Sequence, residues 1–328
     1  MPSVSPSRRR LVFATLSITM AFALGPGGTE AGCDAIASGL DVPTALIFSG
    51  GGAKGAWEAG VATALVRAGL PIRVAAGSSA GALNAAMLAD GRLEKLEETW
   101  RTISRDRVYR LRSRVVLTGL LPGWLTVFGL GSASSLMDSR PLRELIVTSL
   151  DFERVRASEL RAIVVATDLV RRETQVFDNA VLTPDVLLAA AALPGVFPPV
   201  EVDGRLLVDG GLTGRAPVLD ALGSDRTLRR AIVLVSYATG EHGRAPTSVR
   251  RALEEAFETA MVHQIRRDTE LARLKHPDVD VVSITPARAI DLRPLDFDPA
   301  RTSDAFERGR ADGAACVDRW TDDTRRPR

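Results

Sequence analysis

From Pro43 onward, short apolar runs alternate with longer helical patterns, and few architectures satisfy that alternation. The runs TALIFS (44–49), IRVAA (72–76), RAIVVATD (161–168), TQVF (174–177), RLLVD (205–209), AIVLVSY (231–237) and DVVSI (280–284) read as strands. Between them AWEAGVATALVRAG reads as a helix closed by Gly69 and Pro71, ALNAAMLA as a small-residue helix and LEKLEETWRTI as an amphipathic one. Further helices cover PDVLLAAAA, a long stretch from about 249 to 274, and 301–320. This is the signature of an α/β domain around a largely parallel sheet. No repeat and no Pro/Ser-rich linker divides the body, so residues 41–321 are expected to form one domain.

The N-terminal segment reads differently. Residues 1–32 carry three arginines, the 14-residue apolar run LVFATLSITMAFAL, then GPGG and small residues. A bilayer span needs about 20 apolar residues, so the run fits a secretory signal better than a membrane helix. Ser7–Val12 resembles a twin-arginine export signal. The expectation is an exported protein of the periplasm, envelope or exterior; the alternative is an uncleaved hydrophobic N-terminus. Cleavage is expected after either Ala23 or Ala31. Lipoprotein anchoring through Cys33 is disfavoured, because Glu30 occupies a small-residue position and the apolar run ends well before it.

Composition narrows the chemistry. Lys+Arg 42 against Asp+Glu 40 gives a net charge of +2, which points to no nucleic-acid partner. Two cysteines, Cys33 and Cys316, suit neither a disulfide scaffold nor a structural zinc site, and the three histidines are far apart, so no metal or cofactor is expected. In an oxidising compartment the two cysteines could pair, tying the first segment of the domain to its last helix.

Gly77-Ser78-Ser79-Ala80-Gly81 has the G-x-S-x-G pattern between a strand and a helix, the context that projects a serine hydroxyl at a strained turn. Upstream, Gly50, Gly51 and Gly52 lie between TALIFS and a helix. Gly50, Gly52 and Gly55 also satisfy a dinucleotide fingerprint, but the acidic residue expected after the second strand is missing. Three consecutive glycines better suit amides converging on an oxyanion. A serine nucleophile needs a proton acceptor. Asp209, closing RLLVD before two glycines, supplies a carboxylate; His242, in the loop GEHGRAP, would complete a Ser-His-Asp triad. Taken alone, Asp209 is also an ordinary turn former and His242 an ordinary loop histidine. His263 and His276 read as residues of the long helix. Lys54 reads either as a contact for an anionic head group or as a solvated first-turn lysine. The apolar segment 115–130, broken by Pro122 and Gly123, reads as buried cap packing or as a lipid-facing rim with Trp124 and Phe128.

In order, SGGGAKG, GSSAG and VDGG resemble the patatin-like phospholipase family, and ATDLVRRETQVFD, AAAALPGVFPPV and DSRPLRELI agree with it over roughly residues 44–285. The resemblance implies a three-layer α/β sandwich. It also implies a lipid acyl hydrolase with a Ser79/Asp209 dyad, no catalytic histidine or metal, and an oxyanion hole at Gly50, Gly51 and Gly52. Lys54 matches the family's usual basic residue, while Ala190 and Ala191 replace serines common in relatives. The substrates implied are phospholipids or other fatty-acyl esters, with membrane contact through 115–130. Two alternatives remain: a triad esterase using His242, and a non-catalytic lipid-binding envelope protein.

Overall fold

The structure is a computed structural model and describes residues 31–111, 135–241, 243 and 245–325. The expected targeting segment before Ala31, the apolar segment 115–130 and His242 lie outside the described residues.

Strands β1 (Gly32–Cys33), β2 (Thr44–Phe48) and β3 (Ile72–Gly77) enclose helix α1 (Gly55–Arg67). Helices α2 (Ala80–Asp90), α3 (Leu93–Thr102) and α4 (Arg105–Val108) follow, then the small strands β4 (Arg110–Leu111) and β5 (Met137–Asp138), then α5 (Arg140–Ser149) and α6 (Phe152–Ala157). Strands β6 (Arg161–Asp168) and β7 (Glu173–Asp178) form a hairpin that leads into α7 (Pro184–Ala190). The remainder comprises β8 (Val200–Val202), β9 (Arg205–Asp209), α8 (Val218–Ser224), β10 (Arg230–Leu234), α9 (Val249–Lys275), β11 (Asp280–Thr285) and α10 (Pro299–Arg325).

The main sheet runs β1-β11-β10-β2-β3-β6-β9-β8, with β7 also on β6. Its five central strands, β11 to β6, are mutually parallel, and the flanking pairs are antiparallel. Because side chains alternate along a strand, each face builds its own core. Leu46, Phe48 and Ala75 pack with α1, α2 and α10; Ala45, Ile47 and Val74 pack with α8 and α9. The result is the expected three-layer α/β sandwich.

Three boundaries differ from the sequence expectation by more than two residues. Strand β10 stops at Leu234 rather than 237, because its neighbour β2 ends opposite it at Phe48. The sheet takes in Gly32–Cys33, earlier than residue 41, through antiparallel pairing of β1 with β11. Helix α10 runs on to Arg325. Cys33 and Cys316 form a disulfide with a Cα–Cα distance of 5.7 Å, joining β1 to α10.

One feature of the register positions the functional residues. Strand β7 occupies one edge of β6 from Ile163 to Asp168. The other edge is shared end to end: β3 pairs up to Gly77 opposite Val164, and β9, running the opposite way, ends with Asp209 opposite Ala166. Two positions along a strand are about 7 Å. The C-terminal ends of β3 and β9 therefore point at each other.

Candidate active site

Strand β3 delivers Gly77 to a sharp turn, and α2 begins at Ala80. Between them Ser79 has φ 54° and ψ −131°, a conformation that strains a residue bearing Cβ. Both flanking glycines are required by close approach. A Cβ on Gly77 would lie 2.4 Å from the Gly81 carbonyl carbon, and one on Gly81 would lie 2.6 Å from the Phe48 carbonyl oxygen. Ser78 anchors the turn by donating its hydroxyl to the Arg215 carbonyl oxygen at 2.8 Å.

Asp209 closes β9 and is 2% exposed. Its Oδ1 accepts the Gly211 amide at 2.8 Å, and its carbonyl oxygen accepts the Thr167 hydroxyl at 3.0 Å. Burial raises its pKa above the ordinary carboxylate value, opposed by the charge of Arg215, the Gly211 amide and the nearby Ser79 hydroxyl. The structure brings Ser79 and Asp209 to the lining of one cavity.

The glycine loop divides its roles. Gly50, Gly51 and Gly52 all have positive φ, at 72°, 119° and 60°. The amide of Gly50 is donated to Glu58 Oε2 at 3.1 Å, and a Cβ on Gly50 would stand 2.6 Å from the Ser78 carbonyl oxygen. The amides of Gly51, Gly52 and Ala80 have no hydrogen-bond partner among the described residues, and these three residues line the same cavity as Ser79 and Asp209.

That cavity opens to solvent, and the space between its walls, its open part included, is about 980 Å³. One end holds the polar groups just described with Arg215, Tyr237 and Glu258. The rest is mostly apolar, walled by Leu83 and Met87 of α2, Trp100 of α3 and Ile103 just after it, Leu142 and Ile146 of α5, and Phe197 and Phe297.

Lys54 is neither solvated nor a cavity wall. It is 3% exposed, sits 4.0 Å from the centre of the Tyr237 ring, and pairs with Glu258 at 3.5 Å. His263 is exposed on α9, His276 caps the end of that helix, and neither lines the cavity.

Sequence reasoning passed over three features. Glu58, fully buried in α1, accepts the Ser49 hydroxyl at 2.7 Å as well as the Gly50 amide. Burial pushes its pKa up to about 8, against the effects of Ser49, Arg215 and Gly50. Because α1 is buried on nearly all sides, no polar face singled out this residue. Arg215 reads in the sequence as one charge in a glycine-rich turn. The end of α7 carries no chemical signal at all, yet its free carbonyls at Ala190 and Ala192 accept the amides of Ser79 and Asp209.

A serine on a strained strand–helix turn, facing a buried carboxylate beside free amides at the polar end of an apolar cavity, defines a serine-hydrolase-like α/β protein. The chain belongs to the patatin-like phospholipase family, whose model matches residues 46–222. It is 32% identical over 196 residues to an uncharacterized NTE family protein of Mycobacterium tuberculosis, covering 60% of this chain and 50% of that protein. It is 26% identical over 177 residues to patatin-like phospholipase domain-containing protein 7 of Rattus norvegicus, covering 53% of this chain and 12% of that one. The chain therefore spans half or less of the length of these relatives. Among solved structures, VipD from Legionella pneumophila aligns over 92% of this chain and 72% of its own, with a TM-score of 0.44 and 14% identity.

Proposed function

We propose that the protein is a lipid acyl hydrolase that cleaves carboxylic esters through an acyl-enzyme on Ser79. The observation that carries this reading is that Ser79, on its strained turn, and the buried Asp209 carboxylate line the same mostly apolar cavity. In the first step Ser79 Oγ attacks the ester carbonyl while its proton passes to Asp209. The resulting oxyanion is received by the free amides of Gly51, Gly52 and Ala80. Collapse expels the alcohol, which takes the proton from Asp209. Water, deprotonated by Asp209, then releases the fatty acid and restores the serine. The raised pKa of Asp209 makes it a stronger base than an ordinary carboxylate. The apolar walls suit a fatty-acyl chain, and phospholipids or lysophospholipids fit that requirement.

Family membership and the intact site favour this reading over a non-catalytic lipid-binding protein. A fluorophosphonate probe separates the two. Labelling of the wild-type chain and none of Ser79→Ala is expected; an unlabelled wild type would refute the proposal. Export is part of the same proposal, supported by the N-terminal pattern and by the Cys33–Cys316 disulfide, since disulfides persist in oxidising compartments.

A further inference from the structure

Arg215 is 3% exposed, yet no ion pair holds its guanidinium among the described residues and its Nε is a buried nitrogen with no hydrogen-bond partner. The side chain lines the cavity beside Ser79 and Asp209. A Cβ on Gly51 would lie 3.3 Å from its Nη2, and one on Gly211 would lie 3.0 Å from its Nη1. The guanidinium therefore reaches from the free amides of the glycine loop to the turn that follows Asp209. Its backbone has a separate duty, accepting the Ser78 hydroxyl, which any residue at this position would retain.

A guanidinium this little exposed, near the charges of Asp209 and Glu58 but in no salt bridge or hydrogen bond with either among the described residues, opposes folding unless something else engages it. Lys54, buried close by, meets that requirement with Glu258 and the Tyr237 ring. Arg215 does not. Asp209 Oδ1 is turned to the Gly211 amide, and both Glu58 oxygens are occupied by Ser49 and Gly50. A guanidinium fork that lines the cavity with no hydrogen bond to its nitrogens among the described residues has donors open to a two-oxygen anion. It also makes a second negative charge tolerable next to Asp209.

We propose that Arg215 is the anion-binding residue of this cavity, and that the preferred substrates are acyl esters carrying a negatively charged oxygen group, phosphate or carboxylate, on the alcohol side of the scissile bond. The proposal rests on the serine-hydrolase reading for the placement of that bond. The acyl chain takes the apolar end, which leaves the charged group at the polar end where Arg215 stands.

The test uses esters with one acyl chain: 1-palmitoylglycerol, its 3-phosphate, and the palmitoyl ester of glycerate. The wild type is expected to cleave at least one charged ester with kcat/KM about tenfold or more above the neutral ester. A preference for the phosphate or the glycerate ester identifies which anion is read. Arg215→Gln should lower the charged-to-neutral ratio about tenfold or more, and Arg215→Lys, a point charge without the fork, should recover part of it. No charge preference in the wild type, or an equal loss on all esters in Arg215→Gln, would overturn the proposal; the equal loss would mark an effect through Asp209.

A binding measurement separates this proposal from the catalytic one. Ser79→Ala should bind 1-palmitoylglycerol 3-phosphate in calorimetry, and adding Arg215→Gln or Arg215→Lys should weaken that binding, the Gln variant about tenfold or more. Unchanged binding would overturn the anion site. Arg215-dependent binding with no hydrolysis by the wild type would refute the hydrolase and leave the site standing.

Discussion

The backbone amides of Ser79 and Asp209 are held by the same turn: the first donates to the Ala190 carbonyl oxygen and the second to the Ala192 carbonyl oxygen, each at 3.0 Å. The end of α7 at Ala190 and the turn after it at Ala192 thereby fix the spacing of two strands that meet end to end along β6. If this pair performs the chemistry, Ser79→Ala and Asp209→Asn should each lower kcat by about 10³-fold or more without unfolding the chain. His242→Ala should keep its activity. Ester hydrolysis and circular dichroism on the three variants check this, and an inactive, folded His242→Ala would favour a triad.

The pH profile follows from the direction of one shift. Asp209 must be ionised to accept the serine proton, and burial raises its pKa above the usual carboxylate value. Activity should rise with pH along a single acid limb displaced upward from the ordinary aspartate range. Arg215 favours the charged form, so Arg215→Gln should move that limb to still higher pH. Profiles of kcat/KM on a neutral ester measure both, and coincident limbs would show that Asp209 is not the titrating base.

Glu58 gives a prediction about stability. Burial lifts its pKa to about 8 in the folded chain, against about 4.5 for an ordinary glutamate. Between those values the folded protein holds a proton that the unfolded chain has lost, so folding stability falls as pH rises through this window. The difference in Tm between wild type and Glu58→Gln should therefore shift against the wild type from about pH 5 to about pH 8. A constant difference across that range would mean that Glu58 titrates alike in both states.

The disulfide closes nearly the whole domain into one loop. Cys33→Ser or Cys316→Ser should lower stability by about 2–4 kcal/mol, mainly by freeing the unfolded chain. Denaturant unfolding measures the loss, and mass analysis with and without reductant checks the bond. Two free thiols in the protein isolated from an oxidising compartment would contradict it.

The local elements were legible because their causes are local. GSSAG carries its own turn, since only glycines at 77 and 81 admit the close approach of strand and helix. VDGG likewise announces a carboxylate at a strand end. The sequence also indicated which cysteines could pair, there being only two. It could not divide the glycine loop, where Gly50 gives its amide to Glu58 while Gly51 and Gly52 keep theirs free. That division depends on how α1 packs beneath the loop. Nor does the sequence show that Lys54 is buried, because Glu258 and Tyr237 reach it from distant parts of the chain.

Periodicity and turn chemistry determined the alternation of strands and helices, the strained serine turn and the strand ending in Asp209, because each depends on residues a few positions apart. Tertiary structure decided that β3 and β9 abut on one edge of β6, that α7 secures both ends, and that Arg215 is buried unpaired beside them. These are relations among segments far apart in the chain, fixed by strand register and by the packing of helices over the sheet, and no local pattern encodes them.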